Sequence, residues 1–306
     1  MGVYEHIKQK FVMPNAYNDW SKYREQVTKL IIKDVNKDIV GYESVKTGVV
    51  TTTMKPVYRE DMSIAILGAG SCNDFDLLEL SQHFDRITLI DVDMESMQKA
   101  IEWMPEILKE RINLVKGSLT GITNEDQKTF CDDILFRVSE YGNSMTPEKF
   151  SVFLIHELKR LEKKMYTHED QLVEAGLLPV GGYDVVVCIG VCSQLMSMLS
   201  YIINVITANL TGQLFQGKAP DNRAVFTYIK GMNSKIVPII NSAILKCSNE
   251  KAVFGNEYDE HHPVEGAYQC IIDLKTRLGL NMTEEHLTWN FNPGKNVEYD
   301  MLIQMV

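Results

Sequence analysis

Apolar residues in the middle of the chain form short continuous runs that alternate with segments of helical spacing. The runs "SIAIL", "ITLI" and "INLVK" begin at Ser63, Ile87 and Ile112, and "DFDLLELSQHF" and "ESMQKAIEWM" lie between them. Strands that alternate with amphipathic helices are typical of a parallel sheet with crossover helices. The pattern therefore predicts an α/β fold whose first part extends from Ser63 to about Gly117.

The next buried run, "YDVVVCI", begins only at Tyr183, and a structureless loop of about sixty residues would be unusual in a folded domain. Within this interval, "TPEKFSVFLIHELKRLEKKMY" predicts a helix with Thr146 as its N-cap and Pro147 at its first position. We therefore expect 119–182 to be a helical insertion. The later runs "RAVFTYI", "HLTWNF" and "VEYDMLIQMV" predict strands, the last two as a hairpin at the sheet edge.

The first sixty residues differ in pattern from the core predicted over 61–306. A helix is indicated by the apolar and aromatic positions Trp20, Tyr23, Val27, Leu30 and Ile31. It is followed by the β-forming stretch "TGVVTTTMKPVY", which Pro56 interrupts. We expect 1–60 to be a cap or lid on the core.

Charge limits the classes of partner. The chain has 306 residues, a formal net charge of −10 and a pI near 5.3, and it contains no basic run. Nucleic acids and anionic membranes both require a basic surface, so neither is expected as a partner. The six cysteines form no CxxC pair, and the N-terminal "MGVYEHIKQKF" is charged where a signal peptide would be apolar. A cytoplasmic protein with reduced thiols is expected.

No charged residue occurs between Asp184 and Lys218, which is long enough to suggest a membrane span. We favour a buried strand followed by an amphipathic helix, because the polar residues recur at spacings of three and four. Those positions are Ser193, Ser197, Ser200, Asn204, Thr207 and Thr211. A face of small uncharged polar residues predicts contact with the insertion or with the second subunit of a homodimer.

The turn in "AILGAGSCNDF" indicates a ligand site, since a glycine turn from a strand into a helix exposes backbone N–H groups. Gly68 and Gly70 match the first two glycines of a dinucleotide fingerprint, but Asn73 occupies the third position. Asp74 would repel a pyrophosphate there and would attract a ligand with ammonium and sulfonium groups. Asp91 follows Gly68 by roughly the 20 residues at which an acid reaches a ribose hydroxyl, in NAD and S-adenosylmethionine alike.

The chain resembles the class I S-adenosylmethionine-dependent methyltransferases over residues 63 to about 195 and more weakly in the C-terminal strands. "AILGAGSC", "ITLIDVD", "INLVKGSL" and "YDVVVCIGV" resemble the first four motifs of that family, and "EYDMLIQMV" resembles its antiparallel seventh strand. The resemblance implies a Rossmann-like class I methyltransferase sheet, mostly parallel, with S-adenosyl-L-methionine as the cofactor. The cofactor-binding residues it implies are Gly68, Ala69, Gly70, Asn73, Asp74, Asp91, Val92, Ser118, Leu119, Cys188 and Ile189.

The chain departs from the family pattern at three positions, which are Ile66, Cys72 and Ser118. At these positions the family has, in the same order, an acidic residue, a third glycine and a second acidic residue. Cofactor contacts there would therefore be backbone or apolar. The fourth motif is also not the Asn/Asp-Pro-Pro-Tyr with which the family methylates amide or adenine nitrogens. This difference argues against DNA and glutamine as acceptors.

Candidate substrate and catalytic residues lie outside the motifs. His261 and His262 in "NEYDEHHPVEG" are the candidate general bases, with His156 behind them. A metal site in that stretch is not expected, because consecutive ligands do not readily converge on one ion. The resemblance implies that an N-terminal helix covers the cofactor. The candidate substrate contacts are therefore Trp20, Tyr23 and Arg24, together with Ser193 and Gln194 after the fourth strand.

The sequence thus predicts a methyltransferase acting on a small molecule. A weak likeness of the insertion to that of small-amine N-methyltransferases makes an amine the first choice of acceptor. An aminopropyl or carboxypropyl transferase on the same fold remains an alternative, as does a cofactor-binding or scaffold protein without catalysis. An NAD(P) oxidoreductase is disfavoured by Asp74.

Overall fold

The computed structural model describes residues 2–9, 13–35, 39–47, 51–58 and 61–306. Residues 48–50 of the predicted β-forming stretch lie outside the described residues. The strands are β1 (Ile39–Thr47), β2 (Thr51–Tyr58), β3 (Ser63–Leu67), β4 (Arg86–Asp91), β5 (Ile112–Lys116), β6 (Tyr183–Ile189), β7 (Ser248–Glu257), β8 (Thr283–Asn292) and β9 (Val297–Met305). β1 and β2 pair with each other as a separate antiparallel sheet.

The other seven strands form one sheet in the order β5-β4-β3-β6-β7-β9-β8. β5, β4, β3, β6 and β7 are parallel, whereas β9 is antiparallel to both of its neighbours. This arrangement confirms the mostly parallel sheet with an antiparallel C-terminal strand. The chain winds outward from β3 to β5 and then returns to β6 on the other side of β3. The point between β3 and β6 is therefore the topological switch point, where open α/β sheets bind ligands.

Twelve helices surround the strands in the described part of the chain. They are α1 (Val3–Gln9), α2 (Ala16–Asp19), α3 (Ser21–Ile32), α4 (Leu77–Leu80), α5 (Met94–Glu102), α6 (Glu106–Lys109), α7 (Asn124–Tyr141), α8 (Pro147–Glu162), α9 (Asp170–Glu174), α10 (Ser197–Gln213), α11 (Arg223–Cys247) and α12 (Ala267–Leu278). They cover both faces of the sheet. Successive β3 residues consequently face different cores, with Ala65 and Leu67 in one and Ile64 and Ile66 in the other.

The predicted insertion helix is present as α8. The Thr146 hydroxyl accepts a hydrogen bond from the backbone N–H of Lys149 at 3.3 Å, and Pro147 is in the first turn. The inner face is completely buried at Phe150, Leu154 and Leu158. Because α8 packs against α7 and α11, the insertion forms part of the larger of the two cores.

One predicted strand is wrong. "RAVFTYI" is the first part of α11, a helix of 25 residues, and the fifth parallel strand is β7 instead. β-Branched and aromatic residues favour a strand only weakly, and the apolar positions continue at helical spacing beyond Ile229. Val225, Ile229, Met232 and Ile236 are all buried along one side of α11, so packing decides the conformation.

The predicted helix over "DFDLLELSQHF" is much shorter than expected, because α4 has only four residues. Asp76 is the N-cap, with its carboxylate accepting from the backbone N–H groups of Leu78 at 2.9 Å and Glu79 at 3.2 Å. Asn73 and Asp74 consequently lie in the turn before the helix. They are displayed by a loop and not by a helical N-terminus.

The uncharged segment after β6 forms α10, which packs against α1 and against α7 of the insertion. Its polar face is only partly covered, since Thr207 accepts a hydrogen bond from Asn222 while Asn204 is exposed. Across the described ranges, no helix is long and apolar enough to cross a membrane.

Candidate functional site

The glycine turn follows β3 directly and lies at the switch point. Gly68 and Gly70 have positive φ angles of 63° and 48°. A Cβ on Gly68 would lie 2.5 Å from Cγ2 of Val191, whereas a Cβ on Gly70 would meet only the carbonyl oxygen of Gly68, at 4.0 Å. Space therefore lies open above the backbone of Gly70, where a side chain would otherwise be.

Asp91 ends β4 and holds this turn in place. Its Oδ2 accepts a hydrogen bond from the backbone N–H of Gly70 at 2.9 Å, and its Oδ1 accepts from the N–H of Asp93 at 2.7 Å. Burial raises the pKa of the Asp91 carboxyl, and the two N–H donors oppose that effect. Each carboxylate oxygen has a second lone pair. Asp91 is half-buried, so it can still accept hydrogen bonds from a bound ligand.

These residues fit the nucleoside part of S-adenosylmethionine. The open face of Gly70 can receive a ligand close to the backbone, and the Asp91 carboxylate beside it has the acceptor atoms that the expected ribose contact requires. Of the other implied contacts, Val92 is half-buried beside Asp91, and Ala69, Leu119, Cys188 and Ile189 are buried. The Ser118 hydroxyl donates to the carbonyl oxygen of Ile122 at 2.6 Å, so its hydrogen is already used within its own loop.

A second group of polar side chains lies at the carboxyl end of β7. Glu257 is 8% exposed and its Oε1 accepts a hydrogen bond from the Ser193 hydroxyl at 2.8 Å. Its Oε2 is buried and finds no hydrogen-bond partner among the described residues. Burial raises the pKa of the Glu257 carboxyl, and the backbone N–H of Glu257 itself and the Ser193 hydroxyl oppose this.

Asp74, on the glycine turn, is electrostatically coupled to Glu257. Burial and, to a smaller extent, the nearby Glu257 carboxyl raise the pKa of Asp74 to about 7, against the opposing effect of the Arg24 guanidinium. By exposed area Asp74 is half-buried. The carboxylate thus combines restricted solvation with access from outside, as is common for groups in functional sites.

Tyr23 on α3 completes this group. Its side chain is 2% exposed, and in the described part of the chain its hydroxyl has no hydrogen-bond partner. Burial raises its pKa well above the usual value, and Asp74 and Glu257 raise it further. The ring stacks on Trp289 with centroids 5.5 Å apart, which fixes the direction of the hydroxyl. We call Tyr23, Asp74 and Glu257 the acidic pocket.

Helix α3 is attached to the glycine turn by specific bonds. Arg24 donates to the carbonyl oxygens of Tyr17 at 2.6 Å and Asn73 at 3.4 Å, and it lies 3.9 Å from the centre of the Tyr17 ring. The Thr28 hydroxyl accepts from the backbone N–H of Asp76 at 2.9 Å. The three predicted N-terminal residues therefore take different positions. Tyr23 faces the acids, Arg24 supports the turn, and Trp20 is packed with its Nε1 donating to the carbonyl oxygen of Phe291.

The candidate bases His261 and His262 are not among these buried groups. Both are exposed in the turn after β7, and their backbone N–H groups donate to Oδ1 of Asp259. His156 lies elsewhere, with its Nδ1 3.1 Å from Oε1 of Glu157. Gln194 is exposed, whereas Ser193 contacts Glu257.

Glu257 is a candidate site residue that the sequence analysis did not identify. The signal was present in "KAVFGNE", an apolar run that ends in an acid, as "ITLID" does. The apolar pattern predicts a strand at "RAVFTYI" and none at "KAVFGNE", so it does not mark Glu257 as the end of a strand.

Comparison with known proteins identifies similar structures. No protein-family model matches the chain, and no curated protein matches its sequence. Among solved structures, the methyltransferase domain of bacterial CtHen1 is 12% identical, covering 80% of this chain and 89% of that one with a TM-score of 0.33. The O-methyltransferase TomG from Streptomyces achromogenes, solved with SAM, is 10% identical over 80% and 72%, with a TM-score of 0.34. Precorrin-6y C5,15-methyltransferase from Geobacter metallireducens is 9% identical over 80% and 79%, also at 0.34.

The strand order of the chain itself matches the expectation stated from the motifs. Five parallel strands wind outward in both directions from β3, and the antiparallel β9 is inserted between β7 and β8. The chain therefore has the fold of the class I S-adenosylmethionine-dependent methyltransferases.

Proposed function

We propose that this protein is an S-adenosylmethionine-dependent methyltransferase that acts on a small molecule, with an amine as the favoured acceptor. The observation that carries the proposal is the bond between Asp91 and the N–H of Gly70 at the switch point. This bond keeps the Asp91 carboxylate, which we assign to the ribose hydroxyls, beside an open stretch of backbone. Asp74 on the same turn favours a cationic ligand over a pyrophosphate.

The residues of the chain have separate tasks in this proposal. Asp91 accepts the ribose hydroxyls, and Gly68 and Gly70 allow the nucleoside to approach the backbone. The bound cofactor supplies an electrophilic methyl group on a sulfonium. Arg24 and Thr28 hold α3 against the turn, which limits water and fixes the direction from which an acceptor approaches.

Binding of S-adenosylhomocysteine to the Asp91→Ala variant tests the proposal by calorimetry. We expect binding at least tenfold weaker, about 1.4 kcal/mol, because a hydrogen-bonding carboxylate is lost. Asp132→Asn, at an exposed acid on α7, is the matched control and should bind as the parent does. Unchanged binding in a folded Asp91→Ala variant would remove Asp91 from the site, and preferential binding of NADH would overturn the proposal.

The product identifies the reaction. S-Adenosylhomocysteine would indicate methyl transfer, whereas methylthioadenosine would indicate transfer of an aminopropyl or carboxypropyl group. Binding without turnover of any acceptor would leave the protein as a cofactor-binding protein.

A further inference from the structure

We propose that the acidic pocket of Tyr23, Asp74 and Glu257 binds the protonated amino group of the acceptor and removes one proton from it. This inference rests on the proposed function and assigns the pocket to the acceptor. It narrows the substrate class to primary and secondary amines.

Two buried atoms indicate a missing partner. Oε2 of Glu257 and the Tyr23 hydroxyl are each in a side chain more than nine-tenths buried, and neither has a hydrogen-bond partner among the described residues. A buried polar group without a partner costs about 1–3 kcal/mol, so native proteins rarely keep such groups without a use. An ammonium group carries several N–H donors and can satisfy both oxygen atoms at once.

The charge of the pocket favours the same ligand. Two carboxyls raise each other's cost of ionisation, and Arg24 is the cation that acts on Asp74. Arg24 also donates to the carbonyl oxygens of Tyr17 and Asn73, which hold its guanidinium at the turn, so a single positive charge is set against two carboxyls. An anionic acceptor would add a third negative charge, and a neutral alcohol would leave the charge uncompensated.

The neighbouring groups determine which side chains of the acidic pocket change protonation state near pH 7. Arg24 on α3 acts on Asp74 and Ser193 after β6 acts on Glu257, while the two carboxyls in turn raise the pKa values of Cys72 on the glycine turn and Cys192 after β6. The thiols of Cys72 and Cys192 have raised pKa values and are neutral near pH 7. Near pH 7, protons are therefore gained and lost by the two carboxyls. Asp74, with a pKa of about 7, is the group that accepts the proton of the amine.

The proton balance follows directly. The ammonium nitrogen gives one proton to the Asp74 carboxylate, and its freed lone pair forms the new N–C bond. The electron pair of the broken S–C bond remains on sulfur. The methylated nitrogen leaves as a cation, and the carboxyl releases its proton to solvent.

Binding can be measured without turnover. We would titrate the full chain with butylamine by calorimetry at pH 7, in buffers of different ionisation enthalpy, with butan-1-ol and butanoate as matched probes. Since Asp74 is about half-protonated at its pKa, the binding of a cation should release up to about half a proton at pH 7 and almost none at pH 9. Butan-1-ol and butanoate should bind at least tenfold more weakly and release no proton.

Two variants assign the effect to the pocket. Glu257→Gln should weaken butylamine binding at least tenfold, and Asp74→Asn should abolish the proton release. Glu260→Gln, at an exposed position three residues after Glu257, should change neither. Equal binding of butylamine and butan-1-ol, or unchanged binding in Glu257→Gln, would overturn the inference.

The two proposals can fail independently. If S-adenosylhomocysteine binds normally while butylamine does not bind preferentially, the amine pocket is wrong and methyl transfer stands. If butylamine binds as described while S-adenosylhomocysteine does not bind, the proposed function is wrong.

Discussion

Replacing Asp74 with Asn should make the protein more stable, and increasingly so as the pH rises. The pKa of Asp74 is about 7 in the folded chain and 3.8 when unperturbed. The folded state therefore binds the proton more tightly, and the native protein loses stability as the pH rises from the unfolded value through the folded one. A neutral Asn does not pay this cost.

The magnitude follows from the two pKa values. Between pH 5 and pH 8.5, the difference between these pKa values corresponds to a loss of roughly 3 kcal/mol in the free energy of unfolding of the parent. Solvent around a half-buried carboxylate reduces this loss, so we expect Asp74→Asn to gain about 1–3 kcal/mol relative to the parent over this range. Glu257 and Asp91 also have raised pKa values, but both are present in parent and variant and largely cancel in the comparison.

Urea unfolding at pH 5, 7 and 8.5 measures this difference. Asp132→Asn is the control, because substitution of an exposed side chain should change the free energy of unfolding little. A stability difference for Asp74→Asn that stays constant, or that shrinks toward pH 8.5, would refute the assignment of an ionisation cost to this position.

Two further predictions concern backbone and mobility. Gly68→Ala should destabilise the chain by about 1–3 kcal/mol in urea unfolding, because its φ is 63° and its Cβ would lie 2.5 Å from Val191. Gly231→Ala, inside α11 with nothing within 4 Å of the new Cβ, should stabilise it by about 0.5–1 kcal/mol, and equal effects at both sites would contradict the geometry. Hydrogen exchange over residues 15–31 should slow when S-adenosylhomocysteine binds, with 146–165 as a reference because the inner face of α8 is already buried. Equal protection of 15–31 with and without ligand would make α3 a fixed part of the fold.

The parallel part of the fold could be predicted because its strands are short continuous apolar runs, of which β3 and β6 are buried on both faces. "SIAIL", "INLVK" and "YDVVVCI" form β3, β5 and β6 with the bounds expected from the apolar runs. The glycine turn and Asp91 could be located for the same reason, since the end of a buried strand is marked by its first polar residues. These signals are local in the sequence.

The acidic pocket depends on contacts that are distant in sequence. Tyr23 reads as one aromatic position among several on the predicted helix, and nothing in its neighbourhood indicates that its hydroxyl lies near Asp74 and Glu257. Glu257 can be placed at the site only when β7 is recognised as a strand of the sheet. The sequence predicts a strand in the first part of α11 instead. His261 and His262 are candidate bases by residue type alone, and the turn that contains them is exposed.

The position of Tyr23 also bears on the N-terminal region, which we expected to be a cap. A cap that only covers a site contributes apolar surface, but α3 contributes a buried hydroxyl to the acidic pocket and a guanidinium bound to the glycine turn. Movement of α3 away from the turn would carry Tyr23 and Arg24 away from the carboxyls and would let water reach them. Because burial is the largest cause of the raised pKa of Asp74, its loss would outweigh the loss of the Arg24 guanidinium and would lower the cost of ionising Asp74. Opening would thus favour the charged carboxylate and attract an ammonium group, and closure would favour transfer of its proton to Asp74. The N-terminal helix is then part of the acid–base chemistry that we propose, since its position determines which protonation state of the pocket is stable.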